Sequence, residues 1–228
     1  MYQPMLYVHW KQIRLGLVPF ILGAFALPLL MVQGLGVTPG MDTTTLEAYR
    51  IVNEFQVWLP LFPLLAAGTG MTLALSAWNW DHRHNHVWAL SLPLSRWEYA
   101  MLKMGAGAAL ALLPAAAMWV GAHLAVASIE LPAGLNAYPN QLALRFALAT
   151  LISYAFLFAM AAGTIKTTVW FVSGVIAFII LGNMANGFLA DYYEFFQRTN
   201  IVVEFFRIVA DSPGPAEVFT GNWALIDV

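Results

Sequence analysis

Three of the five histidines fall within six residues, Asp81-His82-Arg83-His84-Asn85-His86. Neutral imidazole is a common metal ligand, and on a helix His82 and His86 would share a face at the i, i+4 spacing of many zinc sites. One candidate chemistry is therefore a metal-dependent membrane enzyme built on His82, His84 and His86. Against it, Arg83 puts a cation in the same turn, no cysteine exists, and the nearby acids are Asp81 and Glu98. A solvated interfacial loop without metal is the simpler expectation. His9 and His123 stand alone. His123 lies near the end of an apolar run, not far from Glu130, where a hydrogen-bonded structural role is expected.

Nucleophilic chemistry needs a base and an orienting group beside the nucleophile. Ser153 and Ser173 lie in apolar runs without such company, so packing or bonding back to the preceding helical turn is expected of them. Gly105-Ala106-Gly107 follows Lys103 but lacks the order of a phosphate-cradling loop, and small residues there permit close helix contact. No catalytic residue and no nucleotide-hydrolysing site is read from this chain, and no cofactor of its own.

The elements that would have to position any site are set by composition. The chain has 228 residues, 61% hydrophobic and 10% charged, with a mean hydropathy of +0.71. A water-soluble domain carries about 25% charged residues. A formal charge of −2 supplies no general basic surface, so nucleic-acid binding is set aside. Five stretches lack Asp, Glu, Lys and Arg: 15–41, 55–80, 104–129, 146–165 and 167–190. A crossing needs about 20 apolar residues. Backbone groups in lipid are satisfied only in helices or closed barrels, and continuous apolar runs favour helices. The fold expected is an all-α integral membrane protein, a polytopic bundle with five evident transmembrane helices forming one domain over 1–228.

Cation placement orients the bundle. With the N-terminus cytoplasmic, Lys11, Arg14, Arg83, Arg96, Lys103 and Lys166 lie inside against Asp81 and Glu98, while Arg50, Arg145, Arg198 and Arg207 lie outside against ten acids. The cytoplasmic parts are then 1–14, an amphipathic start, and the connection 81–103. Residues 191–228 end outside the cell membrane. Their longest uncharged run, 218–226, is too short to span. Phe195, Val202, Phe205, Phe206 and Val209 suit a helix at the outer interface or packed on the outer end of the bundle. A short outer helix is expected over 43–52, capped from Thr43 to Thr45. Pro19, Pro28, Pro60, Pro63 and Pro114 each fall in an apolar run, where a proline deletes a helical hydrogen bond and can loosen a span. The spans carry almost no ionisable residue, which disfavours an internal charge relay.

Residues 89–104, Ala-Leu-Ser-Leu-Pro-Leu-Ser-Arg-Trp-Glu-Tyr-Ala-Met-Leu-Lys-Met, resemble the inner loop of type-2 ABC transporter permeases. There a leucine, proline, small apolar residue, Ser and Arg are followed about seven residues later by Lys, here Lys103. Asp81 is similar to the acidic residue that opens that loop, and the start from Tyr7 to Arg14, with Trp10 at interface depth, fits the same pattern.

The resemblance implies a permease subunit of an ATP-driven exporter, pairing as a homodimer or heterodimer with a second permease and with separate ABC ATP-binding subunits that hold ATP and Mg. It implies that the inner loop docks on the ATPase through His86, Trp88, Leu92, Pro93, Leu94, Ser95 and Arg96, with Trp10, Lys11 and Arg14 as interface anchors in the lipid bilayer. Asn183 and Asn186 are candidate contacts on the substrate path, or partners in an interhelical hydrogen bond. The family has six spans, whereas five are evident here. Ser95 would in any case cap the following helix. The alternative function is a non-transporting accessory subunit that seats partners through an aromatic belt of Trp78, Trp80, Trp88 and Trp97.

Overall fold

A computed structural model of the chain describes residues 2–34, 58–83, 94–129, 131, 135–163, 165–190, 200, 202–205, 214 and 216–227. Five long helices dominate: α1 (Tyr2–Gly34), α2 (Leu61–Arg83), α3 (Arg96–Ala127), α4 (Pro139–Ala162) and α5 (Ile165–Ala190). A four-residue helix, α6 (Glu217–Thr220), and the strands β1 (Asn136–Ala137) and β2 (Ile226–Asp227) complete the described elements. All five long helices are long and apolar enough to cross a membrane. The chain is a polytopic, all-helical, membrane-embedded protein.

The helices run past the limits that charge-free stretches suggest. α1 extends back from Leu15 to Tyr2, α3 from Met104 to Arg96, and α4 from Phe146 to Pro139. A charged residue ends an apolar run without ending a helix, because an intrahelical hydrogen bond needs no apolar side chain. At about 1.5 Å per residue, α1 and α3 reach roughly 50 Å, well beyond the ~30 Å of hydrocarbon. The connection expected over 81–103 is correspondingly shorter, since Asp81 to Arg83 close α2 and Arg96 to Lys103 open α3.

Pro19, Pro28 and Pro114 are helix-interior, as expected. Pro60 and Pro63 are not: Pro60 precedes α2 and Pro63 stands in its first turn, where no hydrogen bond is lost. The helix expected over 43–52 lies outside the described residues.

The chain forms two compact units, Met1–Phe158 with Asn222–Val228, and Ala159–Gly221. In the first, α1 and α2 are antiparallel: Gly16 faces Thr72, Gly23 faces Leu65 and Gly34 faces Trp58. α1 and α3 run parallel, touching where Gly121 lies on the Phe25 backbone. α4 runs along α2, with Gly70 against Thr150, Ser153 and Tyr154, and antiparallel to α3, with Gly107 against Tyr154. Glycines at these crossings let backbones approach closely, which is how helices pack tightly in lipid. The core is Ile13, Leu17, Met31, Phe62, Leu73, Met118, Phe146 and Tyr154, all almost fully buried.

This up-down-up-down order gathers the start of α1, the end of α2, the start of α3 and the end of α4 at one end of the unit, here the near end. At the far end, β1 pairs antiparallel with β2, Asn136 opposite Asp227 and Ala137 opposite Ile226. Trp223, Leu225 and Ile226 are buried there, and the Trp223 ring stacks on Phe62 at 6.4 Å. In the second unit α5 leaves its large apolar side chains exposed, among them Trp170, Ile176, Leu181 and Met184. A helical turn at 202–205 folds onto its later part: Val202 meets Gly182, and the Phe205 ring meets Phe178 at 4.9 Å.

Candidate functional site at the base of the connection

The residues that lead into α3 form its start signal. Ser95 is the N-cap, in extended backbone, and Glu98 occupies the third helical position. The Glu98 amide donates to Ser95 Oγ at 3.2 Å, while the Ser95 amide and hydroxyl donate to Glu98 Oε2 at 2.9 and 2.8 Å. This reciprocal capping box satisfies amides that the first turn leaves without carbonyl partners. The helix therefore begins at a fixed residue, directly after the Ser95 cap, with Arg96 and Trp97 exposed on its first turn.

One turn deeper, the last turn of α2 and the second turn of α3 meet through a buried ion pair. Lys103 Nζ donates to Asp81 Oδ2 at 2.6 Å, with the two side chains 7% and 2% exposed. The Tyr99 hydroxyl, on the same face of α3 one turn earlier, donates to both Asp81 oxygens at 3.0 and 3.1 Å and accepts from Lys103 Nζ at 3.2 Å. Burying either charge alone is costly; paired and hydrogen-bonded, they are tolerated. The Trp78 ring, one turn before Asp81, lies 4.6 Å from Lys103 Nζ and adds cation–π attraction.

The other helices of the unit close on the same lysine. His9 of α1 is 2% exposed, has the Lys103 charge and the Leu73 backbone as polar neighbours, and leaves its Nε2 without a hydrogen-bond partner. From α4, the Tyr154 hydroxyl donates to the main-chain carbonyls of Lys103 at 3.3 Å and Met104 at 3.1 Å. Tyr154 and Trp78 both pack on Phe158. Side chains of α2 and α4 thus bond to or pack on Lys103 of α3, and the buried His9 of α1 lies within range of its charge. The expectation of nearly uncharged spans fits the middles of the helices and fails here, where Asp81 and Lys103 are interior.

Other predicted residues fall as follows. His84, His86, Trp88, Leu92 and Pro93 lie outside the described residues; His82 is half-buried in the last turn of α2, its ring 6.5 Å from that of Trp78. Among the described residues no group of three His, Cys, Asp or Glu is arranged to hold a metal ion. Trp10, Lys11 and Arg14 are exposed on α1, beside the buried stripe of His9, Ile13 and Leu17. Asn183 donates to the Ile179 carbonyl at 2.8 Å and accepts from Asn200 at 2.9 Å, so it is bonded inside its own unit. Asn186 is half-buried in the same helix.

Ser153 bonds back to the Ala149 carbonyl at 2.9 Å, as expected. His123 has the structural bond expected of it, with Asn140 at 3.0 Å, an oxygen shared with the Trp119 indole at 2.8 Å.

Sequence reasoning did not single out Tyr99, took His9 as isolated, and treated Lys103 and Asp81 as flanking charges and as parts of the loop motif, not as partners of one another. The available signal was the spacing of Tyr99 and Lys103, which puts them on one face of α3 with an acid waiting at the end of the preceding helix. Comparison of the chain with protein-family models, curated proteins and solved structures gives no match in any of the three.

Proposed function

We propose that this polytopic membrane protein is the membrane-spanning subunit of an ATP-driven transporter of the type-2 ABC kind, exporting a small or amphipathic substrate. Nucleotide is hydrolysed, in this reading, by a separate ATP-binding subunit that carries ATP and Mg, and a second permease completes the path. The cation bias favours a cytoplasmic near end. The observation that carries the reading is the seating of the Leu94-Ser95-Arg96 segment. The connection leaves α2 and enters α3 at the end that holds the N-terminus, and a capping box fixes its exit inside the motif that resembles the permease loop. A segment held in this way can transmit a push from a partner instead of absorbing it.

The middles of the described helices carry no Asp, Glu, Lys or Arg, which suits a cargo that is not recognised by charge. Exposed Lys11, Arg14, Arg83 and Arg96 at the near end suit acidic lipid headgroups around the docking surface.

Purification from native membranes, followed by cross-linking, tests the reading. An ATP-binding protein is expected to co-purify, with cross-links on 86–96. Leu94→Asp and Arg96→Asp are expected to lower ATPase stimulation and export at least tenfold while the chain still inserts. Full stimulation and export in both variants, or cross-links that avoid this segment, would refute it.

A further inference from the structure

We infer that the Asp81–Lys103 pair is the positioning element that makes the last turn of α2 and the first turns of α3, the two described attachments of the connection, move as one body. The inference rests on the transporter reading and assigns a role to residues outside the docking motif itself. The connection has two attachments, the last turn of α2 and the first turn of α3. If these attachments hinge independently, a partner that pushes on the connection merely bends it. If they are locked together, the push displaces both helices.

The geometry answers this with one carboxylate on the α2 side and two donors on the α3 side. Asp81 takes Lys103 Nζ at 2.6 Å and the Tyr99 hydroxyl at 3.0 and 3.1 Å, so each of its oxygens is engaged from α3. Both charges are buried, and separating them without admitting water leaves each unpaired in a poor solvent for ions. Small partial openings are therefore resisted more strongly than at an exposed ion pair.

The same lysine extends the lock to α4, whose Tyr154 hydroxyl donates to the main-chain carbonyls of Lys103 and Met104. A displacement that starts at the connection thus reaches α4 through Lys103 without passing through lipid-facing side chains. Tyr99, Lys103 and Asp81 act in this role through the helices that they join.

The absence of cysteine from the sequence makes the test direct. Spin labels on Arg83→Cys and Arg96→Cys, both exposed positions, read the spacing of the two attachments in the purified chain in lipid nanodiscs. A narrow distance distribution is expected for this parent, at least twice as broad after Lys103→Met and again narrow after Lys103→Arg. The doubly neutral variant Asp81→Asn/Lys103→Met buries no lone charge, so it is expected to fold and to retain the ATP-binding partner. Its ATPase stimulation should nevertheless fall at least tenfold, while Lys103→Arg keeps most of it.

A doubly neutral variant with a narrow distribution and full stimulation would show that the pair only supports the fold, and the inference would be overturned with the transporter reading intact. If no ATP-binding protein accompanies the parent chain, the transporter reading falls and takes the coupling role with it. The distance measurement then still reports whether the pair joins the two attachments.

Discussion

Gly107 of α3 faces the phenol of Tyr154 so closely that a β-carbon at position 107 would overlap the hydroxyl, with Cζ 2.5 Å and Cε2 2.9 Å away. That hydroxyl bonds to the carbonyls of Lys103 and Met104, so the missing side chain and the phenol are two halves of one contact. Gly107→Ala is expected to lower stability by about 1–3 kcal/mol, the usual range for overpacking. Tyr154→Phe, which loses only the hydroxyl, is expected to cost about 1 kcal/mol. Thermal unfolding in a mild detergent measures both. A substitution to Ala that costs less in a Tyr154→Leu background than in the parent would confirm that the clash is with the ring.

Neutralising one member of the Asp81–Lys103 pair should be worse than neutralising both. Asp81→Asn or Lys103→Met alone leaves an unpaired buried charge, for which about 3–5 kcal/mol is typical. The double variant should recover a large part of that loss. Equal losses in all three proteins, measured by chemical unfolding, would show that water already reaches the site.

Ser95 tests the start of α3. Ser95→Ala removes the acceptor for the Glu98 amide, and a cap of this kind contributes about 1 kcal/mol to its helix. Amide exchange at Trp97, Glu98 and Tyr99 should accelerate by about fivefold, the factor that such an energy implies. The amides beyond Lys103, inside the bundle, should be unchanged.

The far-end strand pair reports orientation. Ala137 and Ile226 are cross-strand neighbours, and Cα atoms of such pairs lie about 4.5–5.5 Å apart, within disulfide reach. In the cysteine-free background, Ala137→Cys/Ile226→Cys should form a disulfide in intact cells without added oxidant, because that end faces the oxidising side when the N-terminus is cytoplasmic. A pair that stays reduced in cells and oxidises only after lysis would reverse the topology.

The five helices were legible because a span writes itself as a long stretch without charge. Their ends were not. Lys103 and Arg145 interrupt the apolar runs, yet α3 and α4 continue through them, since their backbone ladders are indifferent to those side chains. The capping box was half-visible: Ser95 was readable as a cap, and Glu98 three residues on completes the pattern. The ion pair was not visible, because Asp81 and Lys103 are 22 residues apart and meet only when α2 and α3 pack in one register. His9 is the same case, surrounded by Leu73 and Lys103 from two other helices. The β1–β2 ladder was missed as well. Two residues per strand carry no periodicity, and its hold comes from Trp223, Leu225 and Ile226 fitting a surface built by distant parts of the chain.

The return of 222–227 makes the first unit depend on both ends of the sequence. Its last residues seal the far end, with Trp223 stacked on Phe62 and Ile226 paired with Ala137. A chain shortened before Asn222 would leave Phe62 without its stacked ring and β1 without its partner strand, so the four helices of the unit cannot close at that end until the final residues have been made.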